Sequence, residues 1–223
     1  MNNFFGYSRP DGLVGIRNYI LVVSTVQCAN NVAIRIAEKT NEISITHDFG
    51  CMESKESSDR TKLGLIKACE NPNVYGVIIV GLGCEQIDAN QMYDHVKRLN
   101  KPVYKILIQE EGGSKQAIAK GIEYTHKLER ELSQEGRNTF RVEKLTVGVQ
   151  CGGSDWTTAL AGNTVIGAMT DLIVKNGGTV LMSEVVGFPG SEHVVADRAV
   201  NKDVGIDILN MVTGLREAYI KQY

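Results

Sequence analysis

The 223-residue chain has no surplus of positive charge: 24 Lys and Arg stand against 26 Asp and Glu, a net charge of −2. Without a basic field, nucleic acid and anionic membrane surfaces are excluded as expected partners. Long hydrophobic runs are missing too. The most apolar stretch, residues 77–80, has the length of a buried strand and falls far short of a bilayer span. The opening residues show neither the basic segment nor the apolar core of an export signal. Five cysteines are too few for a disulfide scaffold in a chain of this length. The expected compartment is therefore the reducing cytoplasm, with thiols that are free or serve as ligands.

Several catalytic signatures are absent as well. There is no Cys-x-x-Cys pair. Gln86 stands where a dinucleotide loop starting at Gly81 and Gly83 needs its third glycine. No Walker lysine motif and no Gly-x-Ser-x-Gly elbow occur. Nor is there a tandem repeat, a coiled coil or a low-complexity tract.

What remains is an alternation of short β-rich runs and helical stretches. Strands are expected near residues 19–26, 42–46, 74–80, 102–108, 145–149 and 179–182. Helices are expected near 29–39, 59–69, 86–99, 115–132 and 163–174, and over most of 191–219. Ile118, Ile122, Thr125, Leu128 and Leu132 recur at helical spacing. Such alternation with apolar strands implies an α/β fold: three-layer, Rossmann-like, a mostly parallel sheet with helices on both faces. A polar stretch at 135–138 suggests a boundary between a first α/β segment (1–140) and a second (141–223).

Four of the five cysteines fall just past an expected strand: Cys28, Cys51, Cys84 and Cys151. In a parallel sheet the C-terminal strand ends share one edge, where ligands bind. Thiolates there suit iron, zinc or an iron–sulfur cluster, although a cysteine is also a good small hydrophobe. Cys69 fits the core, and His95 and His126 fit the surface. Polar groups surround the strand ends: His47, Asp48, Glu85, Glu184, Glu192 and His193. Each is a possible acid, base or ligand. The turn of Cys151, Gly152, Gly153, Ser154 and Asp155 precedes a helix, and its N–H groups could hold a carboxylate or phosphate. Ser154 or Asp155 could equally be a helix cap, and Glu192 and His193 an exposed helix start. Arg9 and Arg17 could clamp an acidic group or be plain surface charges.

Seven blocks then appear in order: Gly6-Tyr7-x-Arg9-x-Asp11-Gly12-x-x-Gly15-x-Arg17-Asn18, Thr25-Val26-x-Cys28-Ala29, His47-x-x-Gly50-Cys51, Gly81-Leu82-Gly83-Cys84-Glu85, Cys151-Gly152-Gly153-Ser154-Asp155, Gly177-Gly178-Thr179 with Ser183-Glu184, and Gly190-x-Glu192-His193. Together they resemble the catalytic part of the altronate/galactarate dehydratase family, and are similar also to sulfolactate sulfo-lyase large subunits. The resemblance implies a metal-dependent hydro-lyase acting on a sugar acid by α-proton abstraction and loss of water. It implies a divalent metal, commonly iron, as Fe2+ or in an iron–sulfur cluster. By resemblance the catalytic residues are His47, Glu85, Asp155, Glu184, Glu192 and His193. Arg9, Arg17, Asn18, Gly152, Gly153 and Ser154 would hold the substrate, and Cys28, Cys51, Cys84 and Cys151 the metal. The chain departs from the family pattern at Val185-Val186-Gly187-Phe188 and at Asn163-Thr164. A later family segment and a small β-rich domain or subunit are expected from elsewhere, so the chain is expected to be a fragment or a short member. A homodimer is expected, because a shortened α/β core exposes apolar surface. The alternatives are sulfolactate desulfonation, a non-catalytic dimerisation or metal-binding module needing a partner segment, and a metal or redox sensor.

Overall fold

A computed structural model of the chain describes residues 3–150, 152–153 and 155–222. It divides into two compact units, Met1–Arg141 and Val142–Tyr223.

The first unit opens with β1 (Asn3–Ser8) and β2 (Val14–Gly15), followed by β3 (Tyr19–Ser24), α1 (Asn30–Thr40), β4 (Ile43–Ile45) and α2 (Lys55–Glu70). Next come β5 (Val74–Gly81), α3 (Ala89–Arg98), β6 (Val103–Leu107), α4 (Ser114–Leu132) and β7 (Asn138–Arg141). Four strands pair in parallel in the order β4-β3-β5-β6. Successive strand residues point to opposite faces, and the core follows that rule. Ile20, Val22, Ile78, Val80 and Ile106 cluster with Ala33 and Ile36 of α1 and with Ala117 and Leu128 of α4. Their neighbours Leu21, Val23, Val77, Ile79 and Leu107 cluster with Leu65 and Cys69 of α2 and with Met92 and Val96 of α3. Covering both faces explains why these strands are written as unbroken apolar runs. Each large side chain so buried contributes about 1.5–3 kcal/mol.

Local chemistry sets the helix ends. Ser54 caps α2 by accepting from Ser57 N, and Asp88 caps α3 by accepting from Asn90 N. At the close of α1, Asn41 turns left-handed at φ 56°. Gly121 lets α4 approach α1, since a Cβ there would overlap Ile36.

A second sheet was not foreseen. It is antiparallel, in the order β2-β1-β7. The Pro10-Asp11-Gly12 turn, expected from its residue types, closes the β1–β2 hairpin: Arg9 N donates to Leu13 O and Gly12 N to Arg9 O, both at 3.0 Å. β7 begins at Asn138, the last residue of what reads in sequence as a polar boundary loop, and pairs with β1 from far along the chain, with the Phe4 and Phe140 rings 6.0 Å apart. Such pairing leaves no local trace.

In the second unit β8 (Thr146–Val149) precedes α5 (Asn163–Lys175), β9 (Thr179–Met182), α6 (Glu192–Ala196) and α7 (Lys202–Gln222). The strands β8 and β9 form a parallel pair. A π-helical turn, Thr158–Gly162, leads directly into α5. Instead of one mostly parallel sheet, the described residues thus form a mixed α/β structure with three separate sheets. Among the described residues no helix is long and apolar enough to cross a membrane.

Candidate functional site

In the first unit, the C-terminal strand ends are tied together by polar contacts. Glu85 sits past β5, and its two carboxylate oxygens accept from Thr25 Oγ1 at 2.8 Å and from Gly83 N at 2.6 Å. Those donors fix the carboxylate's orientation beside β3. His47, past β4, is held at both ring nitrogens. Nδ1 accepts from Phe49 N at 3.1 Å, which puts the proton of the neutral ring on Nε2, 3.1 Å from Ser24 O. Its carbonyl accepts from Asn30 Nδ2 at 2.8 Å, and Asn30 Oδ1 accepts from Ser24 Oγ at 2.6 Å. As it stands, His47 anchors the loop to β3.

Glu53 and Gln86 complete this edge, and neither was a candidate site residue from the sequence. Glu53 accepts from Gly50 N at 2.8 Å and from Ser57 Oγ at 2.5 Å. Gln86 bonds the Glu53 backbone at both ends of its amide, at 3.1 and 3.2 Å. Gly50, at φ +98°, packs where any Cβ would overlap Thr25 O. Cys28, Cys51 and Cys84 are exposed on this edge, whereas Cys69 is buried and its thiol is pushed up to about 12 by that burial.

Arg9, Arg17 and Asn18 do not join them. They lie with the N-terminal ends of the parallel strands, beside the residues leading into β3 and β5. Arg9 is 8% exposed and donates to Pro72 O at 2.6 Å, Asn18 Oδ1 at 2.7 Å and Arg17 O at 3.2 Å. Burial lowers its pKa. Its donors are spent on binding the hairpin to the turn before β5. The Arg17 guanidinium bonds Ile16 O at 3.3 Å.

The second unit carries a cleft of about 680 Å³ at the C-terminal ends of β8 and β9, the edge where parallel sheets bind ligands. Gly152, Gly153 and Glu184, candidates named from the sequence, line it together with Gln150, Asp171 and Arg198, which were not. Glu184 is held in the left-handed region at φ 68°, ψ 72°. That conformation is costly for a residue with a Cβ and clusters at functional sites. Gln150 Nε2 donates to its Oε1 at 3.4 Å. Ser183 Oγ donates to Val149 O at 3.2 Å, closing the edge between the two strands. Arg198 Nη2 stands 3.9 Å from Asp171 Oδ1.

Asp155, Glu192 and His193 fall outside the cleft lining. Asp155 Oδ1 accepts from Thr157 Oγ1 at 2.6 Å and from Thr158 N at 2.8 Å, which holds its carboxyl below the usual range. It caps a helical start. Glu192 opens α6, its carboxyl likewise held low by its own backbone N–H and that of Gly190. His193 is exposed in the same helix. Cys151 and Ser154, expected as metal ligand and substrate contact, lie outside the described residues. Among the described residues no group of three His, Cys, Asp or Glu side chains is placed to hold a metal ion. The described part of the thiol edge therefore does not by itself fit a metal or cluster.

Comparison with known proteins covers nearly the whole chain. The family described as D-galactarate dehydratase/altronate hydrolase, second domain, matches residues 6–133. The D-galactarate/altronate dehydratase C-terminal family matches residues 142–223. Altronate dehydratase of Bacillus subtilis (strain 168) is 26% identical, over 98% of this chain and 46% of its own length. The (2R)-sulfolactate sulfo-lyase subunit beta of Chromohalobacter salexigens is 30% identical, over 90% of this chain and 51% of its own. Galactarate dehydratase (L-threo-forming) of Escherichia coli (strain K12) is 27% identical, over 92% of this chain and 43% of its own. The chain thus spans about half the length of these relatives.

Proposed function

The chain belongs to the D-galactarate dehydratase/altronate hydrolase family, and on that premise we propose that it is a hydro-lyase component that removes water from a sugar acid such as altronate or galactarate. The observation that carries this is Glu184: a carboxylate on a left-handed backbone, lining a cleft at the ends of two parallel strands. Glu184 takes the proton from the carbon next to the substrate carboxylate. The C–H electron pair becomes the enediolate double bond, and the cleft's polar groups must stabilise that charge. Collapse of the enediolate expels the β-hydroxyl, which leaves as water once protonated. The resulting enol tautomerises to a 2-keto-3-deoxy acid.

For the first unit the proposed fold is a three-layer, Rossmann-like arrangement about the β4-β3-β5-β6 sheet. In the first unit it is supported by the two apolar clusters drawn from alternate residues of the same strands. Exposed apolar side chains of the second unit, including Val165, Leu172, Leu181 and Ile220, support the expectation of a homodimer. A second reading is favoured by the sulfo-lyase relative. The same α-proton abstraction would then expel sulfite from sulfolactate.

The test is proton exchange at the α-carbon of galactarate, altronate and sulfolactate in D2O, followed by NMR, with the keto acid and sulfite measured in parallel. It is run on the chain alone and on the chain joined to the further length its relatives carry. Exchange or keto acid that disappears in Glu184→Gln supports the dehydratase. Sulfite release selects the second reading. No exchange with any of the three acids in either form rejects both.

A further inference from the structure

We infer that Arg198 receives a carboxylate of the acid substrate, so that the second-unit cleft recognises an anionic ligand end and not a neutral polyol; this deepens the proposed function and rests on it. The cleft has a charge problem. Glu184 and Asp171 both line it, and two carboxylates repel an acidic ligand unless a cation lies among them. Among the described lining residues Arg198 is the cation. Its side chain is 77% exposed, and its contact with Asp171 at 3.9 Å is an ion pair longer than a hydrogen bond. A guanidinium carries five donors in a planar fork matched to a carboxylate. Arg9, by contrast, is buried and bonded to three oxygens at 2.6–3.2 Å.

The backbone sets Arg198 in place. It ends the short turn after α6, with Arg198 N donating to Val195 O at 3.2 Å. That turn returns the chain to the strand-end edge it left at Glu184. The cleft also offers apolar wall from Ile166, Met182 and Phe188 and is lined by Gly152 and Gly153, which carry no side chain. A flat guanidinium beside apolar wall and glycine backbone suits an extended acid held by one end. The α-carbon, one bond from the held carboxylate, then lies in the cleft that Glu184 also lines, as α-proton abstraction requires.

The experiment titrates the full chain with galactarate, with galactitol, which keeps the hydroxyl groups and lacks both carboxylates, and with adipate, which keeps the carboxylates and lacks the hydroxyls. Binding is followed by calorimetry and by ligand-observed NMR for the wild type, Arg198→Ala, Arg198→Lys and the control Arg35→Ala. Arg35 sits on α1 paired with Glu38 in the other unit, so it controls for the loss of one charge. Galactarate should bind and galactitol should not. Arg198→Ala should weaken galactarate by about tenfold to a hundredfold, as expected for a charge-assisted bidentate contact. Arg198→Lys should recover part of that loss, and Arg35→Ala should match the wild type. Equal galactarate affinity in the wild type and Arg198→Ala, with both folded by circular dichroism, overturns the inference and leaves the sugar-acid function standing. Adipate binding as tightly as galactarate, and still dependent on Arg198, upholds the carboxylate site and counts against a sugar acid as its ligand. If neither anion binds the wild type, the inference is overturned, and the α-proton exchange assay decides the function separately.

Discussion

Replacing Glu184 by glycine should leave the second unit more stable than replacing it by alanine, while either change ends the activity proposed for it. The left-handed backbone at φ 68°, ψ 72° costs a residue with a Cβ about 1–2 kcal/mol. Glycine escapes that cost but gives back roughly 0.5–1 kcal/mol through its freer unfolded chain. The exposed 3.4 Å bond from Gln150 to the Glu184 carboxylate is lost in either Glu184→Gly or Glu184→Ala. Comparing those two variants therefore isolates the backbone. Glu184→Gly should be the more stable by about 0.5–1 kcal/mol, a rise in melting temperature of roughly 2–8 °C for a unit of this size. Differential scanning calorimetry and urea titration both read it. Activity should vanish in both, since both lack the carboxylate. A Glu184→Gly chain no more stable than Glu184→Ala would refute the claim that the cleft stores strain at this residue.

Further outcomes follow from other contacts. Gly121→Ala should destabilise the first unit by about 1–3 kcal/mol through overlap with Ile36; adding Ile36→Val should recover part of the loss in urea titration, because the two sites share one volume. Thr25→Val should cost about 1–3 kcal/mol by stranding the Glu85 carboxylate oxygen that Thr25 Oγ1 serves at 2.8 Å, and an unchanged urea midpoint would contradict it. Burial lowers the Lys101 pKa to about 8. A base lowered in the folded state makes the unfolded chain bind more protons between that value and its ordinary one, so Lys101 should add stability as pH rises from about 8 to about 10.5. Lys101→Met should lose that slope. Stoichiometric iron or zinc found in the wild type by anaerobic metal analysis and lost in Cys84→Ser would place a metal on the thiol edge; equal content in both would leave that edge without one.

The four parallel strands of the first unit were legible in sequence because sheet geometry writes itself locally. Residues 20–23 and 77–80 are apolar without interruption, as strands covered on both faces must be. The helix starts were less legible: α2 begins at Lys55, capped by Ser54, and not near residue 59, and α3 begins at Ala89, capped by Asp88, and not near residue 86. The Glu85 neighbourhood was legible too, because a residue just past a parallel strand lies on the shared edge whatever else happens. The β1–β7 pairing was not legible, since its partners lie far apart and neither strand alternates strongly enough to show alone.

Residue type by itself established the family blocks, the α/β class and a list of polar groups at strand ends. Only the tertiary structure decided their use. Arginines are interchangeable in a sequence, but Arg9 is enclosed by carbonyls at the N-terminal strand ends, while Arg198, unremarked in the sequence, is carried back to the cleft. His47 looks like a base until both ring nitrogens are seen to be engaged. Glu184 looks like any strand-end glutamate until its backbone is seen to be left-handed. The reason is the same in each case: a side chain's chemistry depends on which donors, acceptors and dihedral angles surround it, and those are set by segments distant in the chain, joined only when the fold closes.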